Sequence, residues 1–479
     1  MTFDQILAKI DDFVWGVPLI VLILAAGLLL TIRTGFIQVR HLPRALRYLF
    51  KEEVNEEEEI VHGEVSGFAS LCTALSATIG TGNIVGVATA VGILAGGPGA
   101  LFWMWMAAFL GMATKYSEGF LAVKYRTVDE DGHVLGGPFY YIEKGMGVKW
   151  KWLAKIFAFF GACVGLMGIG TFSQVNGIAS AVTGFFDPNM TNTITLFGND
   201  YSIVTVISAF VLAILAGLVI IGGLKRISSV SQVVVPFMAI LYVLTVVVLI
   251  ICNITKLPAA IAEVVTSAFG AKAMAGGALG AVLISMKNGI ARGIFSNESG
   301  LGSAPIAAAA AKTKEPVRQG LISMTGTFID TIIICTMTGL AIVMAGSWKD
   351  EALQGVQITT DAFQKGLHFL PSQAASFILM ICLVFFAFTT ILGWDYYGER
   401  CLEYLSGKNK TAVMIYRILY IAAVFIGPYM TVSAVWTIAD IFNGLMALPN
   451  LVALFALSGV VTKDTKDYFK RLNAGEIKE

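Results

Sequence analysis

Charged residues are scarce in this chain. Lysine, arginine, aspartate and glutamate make up only 14% of the 479 residues, whereas 56% are hydrophobic. An average soluble domain has roughly 25% charged residues, so the composition excludes a soluble globular protein. The net charge of +1 is close to neutral, and we expect no nucleic-acid partner.

Several motifs of catalysis and metal binding are also missing. The six cysteines stand singly, without a CxxC spacing, and only four histidines accompany them, so a metal cage is not expected. The sequence contains no GxxxxGK[ST], no HExxH and no GxSxG context, which argues against an ATP-driven pump or a membrane hydrolase. We therefore expect a protein that is not an enzyme, has no cofactor and is driven by an ion gradient.

Long apolar segments are abundant. About eleven of them come near the 20 residues that a helix needs to cross a lipid bilayer. They predict an all-α integral membrane protein. The expected spans are 13–33, 66–95, 98–124, 153–184, 201–224, 228–253, 275–310, 320–346, 373–405, 411–431 and 433–461.

The loops between these segments carry most of their lysines and arginines on one side. By the positive-inside rule, this asymmetry places the N-terminus outside the cell and the C-terminus in the cytoplasm. Residues 13–33 are interpreted as a retained helix, because Asp4, Asp11 and Asp12 precede or begin it, unlike the basic start of a secretion signal. The polar tail 462–479 is expected to be cytoplasmic and loosely ordered.

Two of the segments are broken by glycine and polar residues at corresponding positions. The breaks lie at 79–83 and at 293–300, each in the first span of one half. Five spans in 66–253 are followed by five in 275–461, and an odd number per half makes the second half cross the membrane in the opposite sense. This pattern predicts one membrane domain with an inverted repeat, preceded by one extra N-terminal helix.

Broken helices inside a membrane have a physical use. Irregular backbone at this depth lines a cavity or a site, because it exposes free carbonyl groups and free amide groups. An amino acid zwitterion needs both. We expect its carboxylate on the amides of Thr81 and Gly82, and its ammonium on the carbonyls of Phe295 and Ser296.

The residues that follow the second break have two interpretations. Asn297, Glu298 and Ser299 are predicted to start a helix that runs to Ala311. Glu298 is then either a carboxylate stabilised by the helix N-terminus or a direct participant in cation or proton handling. Other intramembrane charges, which are expected to face a cavity, a partner or the interface, include Lys115, Glu118, Arg292, Asp330, Asp395 and Asp440.

Six motifs resemble those of the alanine or glycine:cation symporters of bacteria and archaea. They are ATIGTGNIVGVATA at 77–90, GGPGALFWMW at 96–105, GMATKYSEG at 111–119, FSNESGLGSAPIAAAAAKT at 295–313, SMTGTFIDT at 323–331 and GWDYYGERC at 393–401. The resemblance implies a LeuT-type fold in a prokaryotic cell membrane. It also implies sodium-coupled import of alanine, in both enantiomers, and of glycine.

The resemblance further implies a substrate site. Its residues would be Thr81, Gly82, Gln174, Phe295, Ser296 and Trp394, with Asn83 and Asn297 beside them. From the residues alone, Gln174 is equally well an interhelical hydrogen bond. Trp394 alone is more typical of packing or of an interfacial anchor than of a pocket wall that excludes large side chains.

Sodium requires hard oxygen ligands. Thr389 and Thr390 supply two hydroxyls within an apolar run, and similarity to the LeuT-type arrangement implies that they meet the carbonyls of Ser76 and Ile79. The alternative is that each hydroxyl bonds back to a carbonyl one turn earlier in its own helix.

A second cation position is expected near Thr78 and Asn83, where the ion would touch the substrate carboxylate.

Alternatives remain open for the function as a whole. They are a proton-coupled amino acid symporter, a passive channel or facilitator, and a nutrient receptor.

Overall fold

The computed structural model describes residues 3–51, 63–129, 133–196, 198–270, 278–430 and 432–477. The start of the second predicted half, residue 275, lies outside these ranges. The described chain is mostly helical. Twelve α-helices come before residue 253: α1 Phe3–Val14, α2 Val17–Arg33, α3 Ile37–Arg40, α4 Leu42–Tyr48, α5 Gly67–Thr78, α6 Val87–Val91, α7 Gly99–Lys124, α8 Pro138–Tyr140, α9 Lys151–Met167, α10 Phe172–Phe186, α11 Ile203–Ile220 and α12 Gly223–Cys252.

Nine more α-helices follow: α13 Leu257–Ala268, α14 Ala278–Asn297, α15 Pro305–Ala308, α16 Pro316–Thr327, α17 Thr336–Ala345, α18 Val356–Gly366, α19 Ser372–Leu405, α20 Lys410–Ile426 and α21 Val432–Asn473. Shorter π-helical segments cover Gly82–Gly86, Tyr141–Gly145 and Phe328–Cys335, and 3₁₀ turns cover Val148–Trp150, Ile254–Lys256, Ser347–Lys349 and Gly427–Tyr429. Two antiparallel hairpins pair β1 (Thr127–Val128) with β2 (Val134–Leu135) and β3 (Thr193–Leu196) with β4 (Asn199–Ser202).

Some of the helices begin at a polar residue whose side chain caps the first turn. The hydroxyl of Ser66 accepts a hydrogen bond from the amide of Ala69 at the start of α5, and the side chain of Asn409 caps α20 in the same way. These bonds satisfy amides that have no partner within the helix. Eight helices of the described chain are long and apolar enough to cross a membrane, and a ninth span is formed if the bent pair α5 and α6 is counted. The chain is a multi-pass membrane protein.

The predicted tail requires a correction. Residues 462–479 were expected to be loosely ordered, but α21 continues without interruption to Asn473. Tyr468 explains the continuation, because it is buried and its hydroxyl lies 3.1 Å from that of Tyr48 on α4. The last helix is thus held by packing against the N-terminal part of the chain.

Helix α7 lies at the centre of the molecule. It packs against α2, α14 and α16, and every residue from Gly111 to Val123 is buried. By contrast, α11, α12 and α20 carry large exposed apolar side chains, among them Phe210, Phe237 and Ile418. These outer helices form the surface suited to lipid, and the polar residues of α7 face the protein interior.

Candidate functional site

The first break lies where the sequence predicts it. Helix α5 ends at Thr78, and Ile79 has an extended backbone with φ −80° and ψ 98°. The chain then enters the π-helical segment Gly82–Gly86 and α6, and the axis turns by 53°. Glycine is required at position 80, because a Cβ atom there would lie 2.5 Å from Oγ1 of Thr390.

The amide groups exposed by this break are held by side-chain oxygens. The amide of Gly80 donates to Oδ1 of Asn83 at 2.9 Å, and the amide of Thr81 donates to Oε1 of Gln174 at 3.0 Å. Gln174 is buried on α10 and fixes its own amide group by donating from Nε2 to the carbonyl of Ile169. The structure therefore brings Gln174 to the break, at the amide predicted to bind a carboxylate.

The second break differs from its prediction. The expected helix from Asn297 to Ala311 is wrong, since α14 continues through Asn297 and α15 spans only Pro305–Ala308. Glu298, Gly300 and Gly302 all have positive φ values, of 57°, 90° and 83°. This left-handed backbone cannot continue a helix, so Glu298 follows a helix C-terminus and its interpretation as an N-terminal carboxylate is wrong.

The two breaks are in contact with each other. A Cβ atom at Gly82 would lie 3.2 Å from Cα of Ser296 and 3.3 Å from Cδ1 of Phe295. Phe295, Ser296 and Asn297 form the last turn of α14, where helix carbonyls lack intrahelical partners. The side-chain amide of Asn297 donates a hydrogen bond from Nδ2 to Oγ1 of Thr331 at 3.0 Å.

A carboxylate that the sequence marked only as an intramembrane charge joins the breaks. Oδ1 of Asp330 accepts a hydrogen bond of 2.6 Å from Nδ2 of Asn83, and Oδ2 accepts one of 2.9 Å from Oγ of Ser296. The hydroxyl of Thr331 also donates to Oδ2 at 2.7 Å. All four residues are buried. The sequence signal that points to Asp330 is an acidic residue within an apolar span, where a charge needs a partner.

The predicted sodium ligands are only partly brought together. Oγ1 of Thr390 donates to the carbonyl of Ile79 at 3.1 Å and to that of Phe386. Oγ1 of Thr389 bonds back to its own helix, at Phe385 and Phe386, and faces Sδ of Met238. The structure therefore places Thr390 at the break and Thr389 away from it.

Two further predicted ligands, Ser76 and Thr78, belong to α5. The hydroxyl of Ser76 donates to the carbonyl of Thr73, and that of Thr78 donates to the carbonyl of Ala74. Both hydroxyls thus serve their own helix. Only the backbone carbonyls of Ser76 and Thr78 therefore remain as candidate ligands at the first break.

Trp394 connects α19 to the second break. Its Nε1 donates a hydrogen bond of 2.8 Å to Oε1 of Glu298, and Oε2 of Glu298 accepts one of 2.6 Å from Ser303. Trp394 is fully buried, so it is no interfacial anchor. The loop is also held at Gly300, whose carbonyl accepts a hydrogen bond from Nδ2 of Asn450.

Two further intramembrane charges have defined surroundings. Arg292, one turn before the end of α14, forms a two-pronged ion pair with Asp440 on α21, with distances of 3.2 and 2.7 Å. Asp395 is buried on α19, and neither of its oxygens has a hydrogen-bond partner among the described residues. Its side chain lies near Tyr416 and Tyr420 of α20.

Comparison with known proteins gives consistent matches over the whole length. A family model described as the sodium:alanine symporter family matches residues 1–479. The sodium/alanine symporter AgcS of Methanococcus maripaludis is 45% identical over 484 residues, which cover 100% of both chains. Two proteins of Bacillus subtilis are also similar. The probable sodium/glutamine symporter GlnT is 37% identical, covering 99% of this chain and 92% of its own. The putative sodium/proton-dependent alanine carrier protein YrbD is 36% identical, covering 98% and 93%.

Proposed function

The chain belongs to the sodium:alanine symporter family, and from this premise we propose that it imports alanine and glycine together with sodium by alternating access. Membership makes it a sodium-coupled amino acid symporter and not an enzyme. The choice of substrate, the site and the mechanism are the proposal. We place the protein in the plasma membrane of a prokaryote, with its N-terminus outside and its C-terminus in the cytoplasm.

We propose eleven membrane spans in a LeuT-type inverted repeat. Helices α7 and α14 join the spans already described, because their 26 and 20 residues reach about 39 and 30 Å at 1.5 Å per residue. Polar side chains lower their hydropathy, and several of these are buried, such as Lys115 and Glu118 of α7 and Ser296 and Asn297 of α14. Five spans then belong to each half, 66–253 and 275–461, after the N-terminal span formed by α1 and α2.

The substrate carboxylate is proposed to bind the amides of Thr81 and Gly82. The bond between the Thr81 amide and Gln174 supports this placement, since a side-chain oxygen already lies where a carboxylate oxygen would be. On binding, the carboxylate replaces that oxygen, and Gln174 turns its amide to the substrate. Carbonyls of Phe295 and Ser296, at the end of α14, receive the ammonium group.

Trp394 and Asn297 complete the proposed substrate site. Both are fully buried, and Trp394 is held in position by its bond to Glu298. A large, fixed indole leaves no room for added methylene groups, because overpacking a closed site is costly. This supports a preference for the smallest amino acids.

The single observation that carries the proposal is the position of Asp330 between the two breaks. Its carboxylate joins Asn83 of the first break to Ser296 of the second. A buried carboxylate is costly without a cation, and carboxylate and hydroxyl oxygens are ligands that suit sodium. Asn83 presents Nδ2 to Asp330 and its Oδ1 to the amide of Gly80, so its side-chain amide has to turn over to offer its oxygen to the ion. We therefore place one sodium ion at Asp330, Asn83 and Ser296.

A second sodium position is proposed at Thr390 and the carbonyl of Ile79. Carbonyls of Ser76 and Thr78 lie on the same helix end and are the remaining candidates. We leave Thr389 out of this site, because its hydroxyl bonds back to Phe385 and Phe386. Ion and substrate together favour closure only if they bind the closed state more tightly than the open state.

Uptake of labelled alanine into proteoliposomes tests the proposal. With an inward sodium gradient, the purified protein should accumulate alanine with saturation, and excess glycine or D-alanine should compete. Glutamine, named for the relative GlnT, should compete poorly. Equilibration without accumulation would indicate a passive facilitator and contradict the proposal.

Proton coupling is the second candidate. It is favoured by the relative YrbD, whose name includes both sodium and protons. A pH gradient imposed without sodium separates the two mechanisms. Accumulation of alanine under that gradient alone would replace sodium coupling by proton coupling.

A further inference from the structure

The backbone that follows α15 pairs with the backbone that precedes α5. The carbonyl of Ala310 accepts hydrogen bonds from the amides of Glu64 and Val65, at 2.9 and 3.2 Å. The amide of Lys312 donates in turn to the carbonyl of Val65 at 2.8 Å. Helix α5 leads into the first break and α15 follows the second, so this pairing joins the two broken segments at their ends away from the breaks.

The contact continues along both helices. Oγ of Ser70 on α5 donates a hydrogen bond of 2.9 Å to the carbonyl of Ala307 on α15, and both residues are buried. A Cβ atom at Gly63 would overlap the backbone of Lys312, so the two chains approach as closely as glycine allows. The α5–α15 contact, made by residues 63–70 and 307–313, therefore closes one side of the two breaks.

A single arginine holds three carbonyls of the α5–α15 contact. Nη1 of Arg126 donates to the carbonyls of Ala309 and Ala311, at 2.9 and 2.7 Å. Nη2 donates to the carbonyl of Thr313 at 2.7 Å. Carbonyls beyond a helix end lack partners within the helix, and hydrogen bonds from a charged donor are the stronger ones. The fixed fork of a guanidinium presents several donors at once, whereas lysine concentrates its donors at one nitrogen atom.

The β1–β2 hairpin keeps Arg126 at this position. Arg126 lies between the end of the buried helix α7 and β1. A Cβ atom at Gly136, just after β2, would overlap the side chain of Ala309 and lie 3.2 Å from Cβ of Arg126. The amide of Val134 in β2 donates to Oε1 of Glu64 at 2.9 Å. The hairpin thus touches both sides of the α5–α15 contact and attaches them to α7.

We propose that Arg126 is a positioning residue that keeps the cytoplasmic side of the transporter closed, and that it releases its three carbonyls when substrate and sodium leave. The inference rests on the proposed function, because alternating access requires the α5–α15 contact to open. The proposed topology places residues 63–65, 126 and 309–313 on the cytoplasmic side. Arg126 acts through the backbone of the second broken segment, by stabilising the closed state relative to the open one.

Access from the cytoplasm tests the proposal in the full-length protein. Ser70→Cys places a thiol of similar size inside the contact, and a membrane-impermeant maleimide added to inside-out vesicles reaches it only when α5 and α15 separate. Arg126→Met should speed this labelling by about fivefold or more, since it removes charge-assisted bonds to three carbonyls. Each rate is corrected for labelling of the same variant without Ser70→Cys. Arg33→Met is the matched control, because Arg33 donates to Ser458 between α2 and α21, and labelling should be unchanged.

Uptake provides a second measurement, which a purely structural role would not change in the same way. If the cytoplasmic side is open more often, a smaller fraction of the protein can bind external alanine. Arg126→Met should therefore raise the half-saturating external alanine concentration by about twofold or more, with a smaller change in the maximal rate. Arg126→Lys keeps the charge without the fork and should give intermediate values in both measurements.

The outcomes distinguish this inference from the proposed function. Unchanged labelling in Arg126→Met, or equal acceleration in Arg33→Met, would overturn the role of Arg126. If Arg126→Met fails to fold, Arg126→Lys decides: faster labelling than in the unaltered protein supports the inference, and equal labelling or a failure to fold overturns it. Absence of sodium-dependent alanine uptake by the unaltered protein would instead contradict the proposed function, and the labelling rates would still test whether Arg126 holds the contact closed.

Discussion

The indole nitrogen of Trp394 and the carboxylate of Glu298 are joined by a buried hydrogen bond of 2.8 Å. It links α19, one of the longest helices, to the residue that ends α14 in a left-handed conformation. Ser303 donates to the same carboxylate from the other side of the loop. Glu298 thus fixes the shape of the break, and Trp394 fixes Glu298.

Trp394→Phe should reduce alanine uptake by about tenfold, because it leaves a buried carboxylate with one fewer hydrogen bond. Phenylalanine preserves much of the packing, so the effect reports on the N–H group. Initial uptake rates in proteoliposomes provide the measurement. Trp103→Phe is the control, since the indole of Trp103 bonds to the carbonyl of Ala268 at the end of α13. Equal losses in both variants would argue against a specific role of Trp394.

Gly82→Val should damage uptake far more than Thr81→Ala. Thr81→Ala keeps the backbone amide proposed to bind the carboxylate, and the hydroxyl that it removes has no hydrogen-bond partner among the described residues. Valine at position 82 begins with a Cβ atom only 3.2 Å from Ser296 and adds two methyl groups beyond it. Competition by unlabelled alanine should show a raised half-saturating concentration for Gly82→Val. Small and equal effects would contradict the carboxylate placement.

Gly80→Ala should abolish uptake or prevent folding. Its Cβ atom would lie 2.5 Å from Thr390 and 2.8 Å from Gln174, and such overpacking costs about 1–3 kcal/mol or more. Gly86→Ala is the matched change in the same break, and among the described residues no atom beyond its own helix backbone and chain neighbours lies within 4 Å of its Cβ position. Thermal unfolding in detergent should show a lower transition temperature for Gly80→Ala and an unchanged one for Gly86→Ala. Equal transitions would mean that the first break is more adaptable than its packing indicates.

Thr390→Val and Thr389→Val form a matched pair of neighbours. Only Thr390 reaches the carbonyl of Ile79, so only its loss should raise the half-saturating sodium concentration, by about tenfold for one lost oxygen ligand. Thr389→Val removes a bond to its own helix and should leave that concentration within about threefold. Alanine uptake measured as a function of sodium concentration distinguishes the two variants. The reverse order of effects would move the proposed second sodium position to Thr389.

Sequence alone predicts the first break well, because glycines and a polar cluster within an apolar segment mark it locally. The pairing of Thr390 with Ile79 comes from the resemblance to a known arrangement. The second break is harder to predict from the sequence. Its predicted helix is wrong because Glu298 adopts a left-handed conformation, which the sequence does not favour for glutamate, and tertiary bonds to Trp394 and Ser303 stabilise it.

Long-range partners could not be predicted at all. Arg292 and Asp440 are 148 residues apart, and Asn83 and Asp330 are 247 residues apart, so no local periodicity relates them. The sequence shows that such charges need partners, without showing which. The order of α21 beyond residue 461 was missed for the same reason, since the contact of Tyr468 with Tyr48 depends on the packed fold.

Asp330→Asn should raise the half-saturating sodium concentration for alanine uptake by at least about tenfold, because hydrogen bonds and ion contacts of a charged group contribute about 1.5–3 kcal/mol each. Asparagine keeps the size of the side chain and one acceptor oxygen, so the variant removes mainly the charge that attracts sodium. Asp187→Asn is the control. Asp187 also accepts hydrogen bonds from three groups, on Ser202 and Thr191, but lies past the end of α10, away from the breaks. Its substitution should lower thermal stability without changing the sodium dependence. A sodium dependence unchanged in Asp330→Asn would mean that the link between the breaks is structural and that the coupling ion binds elsewhere.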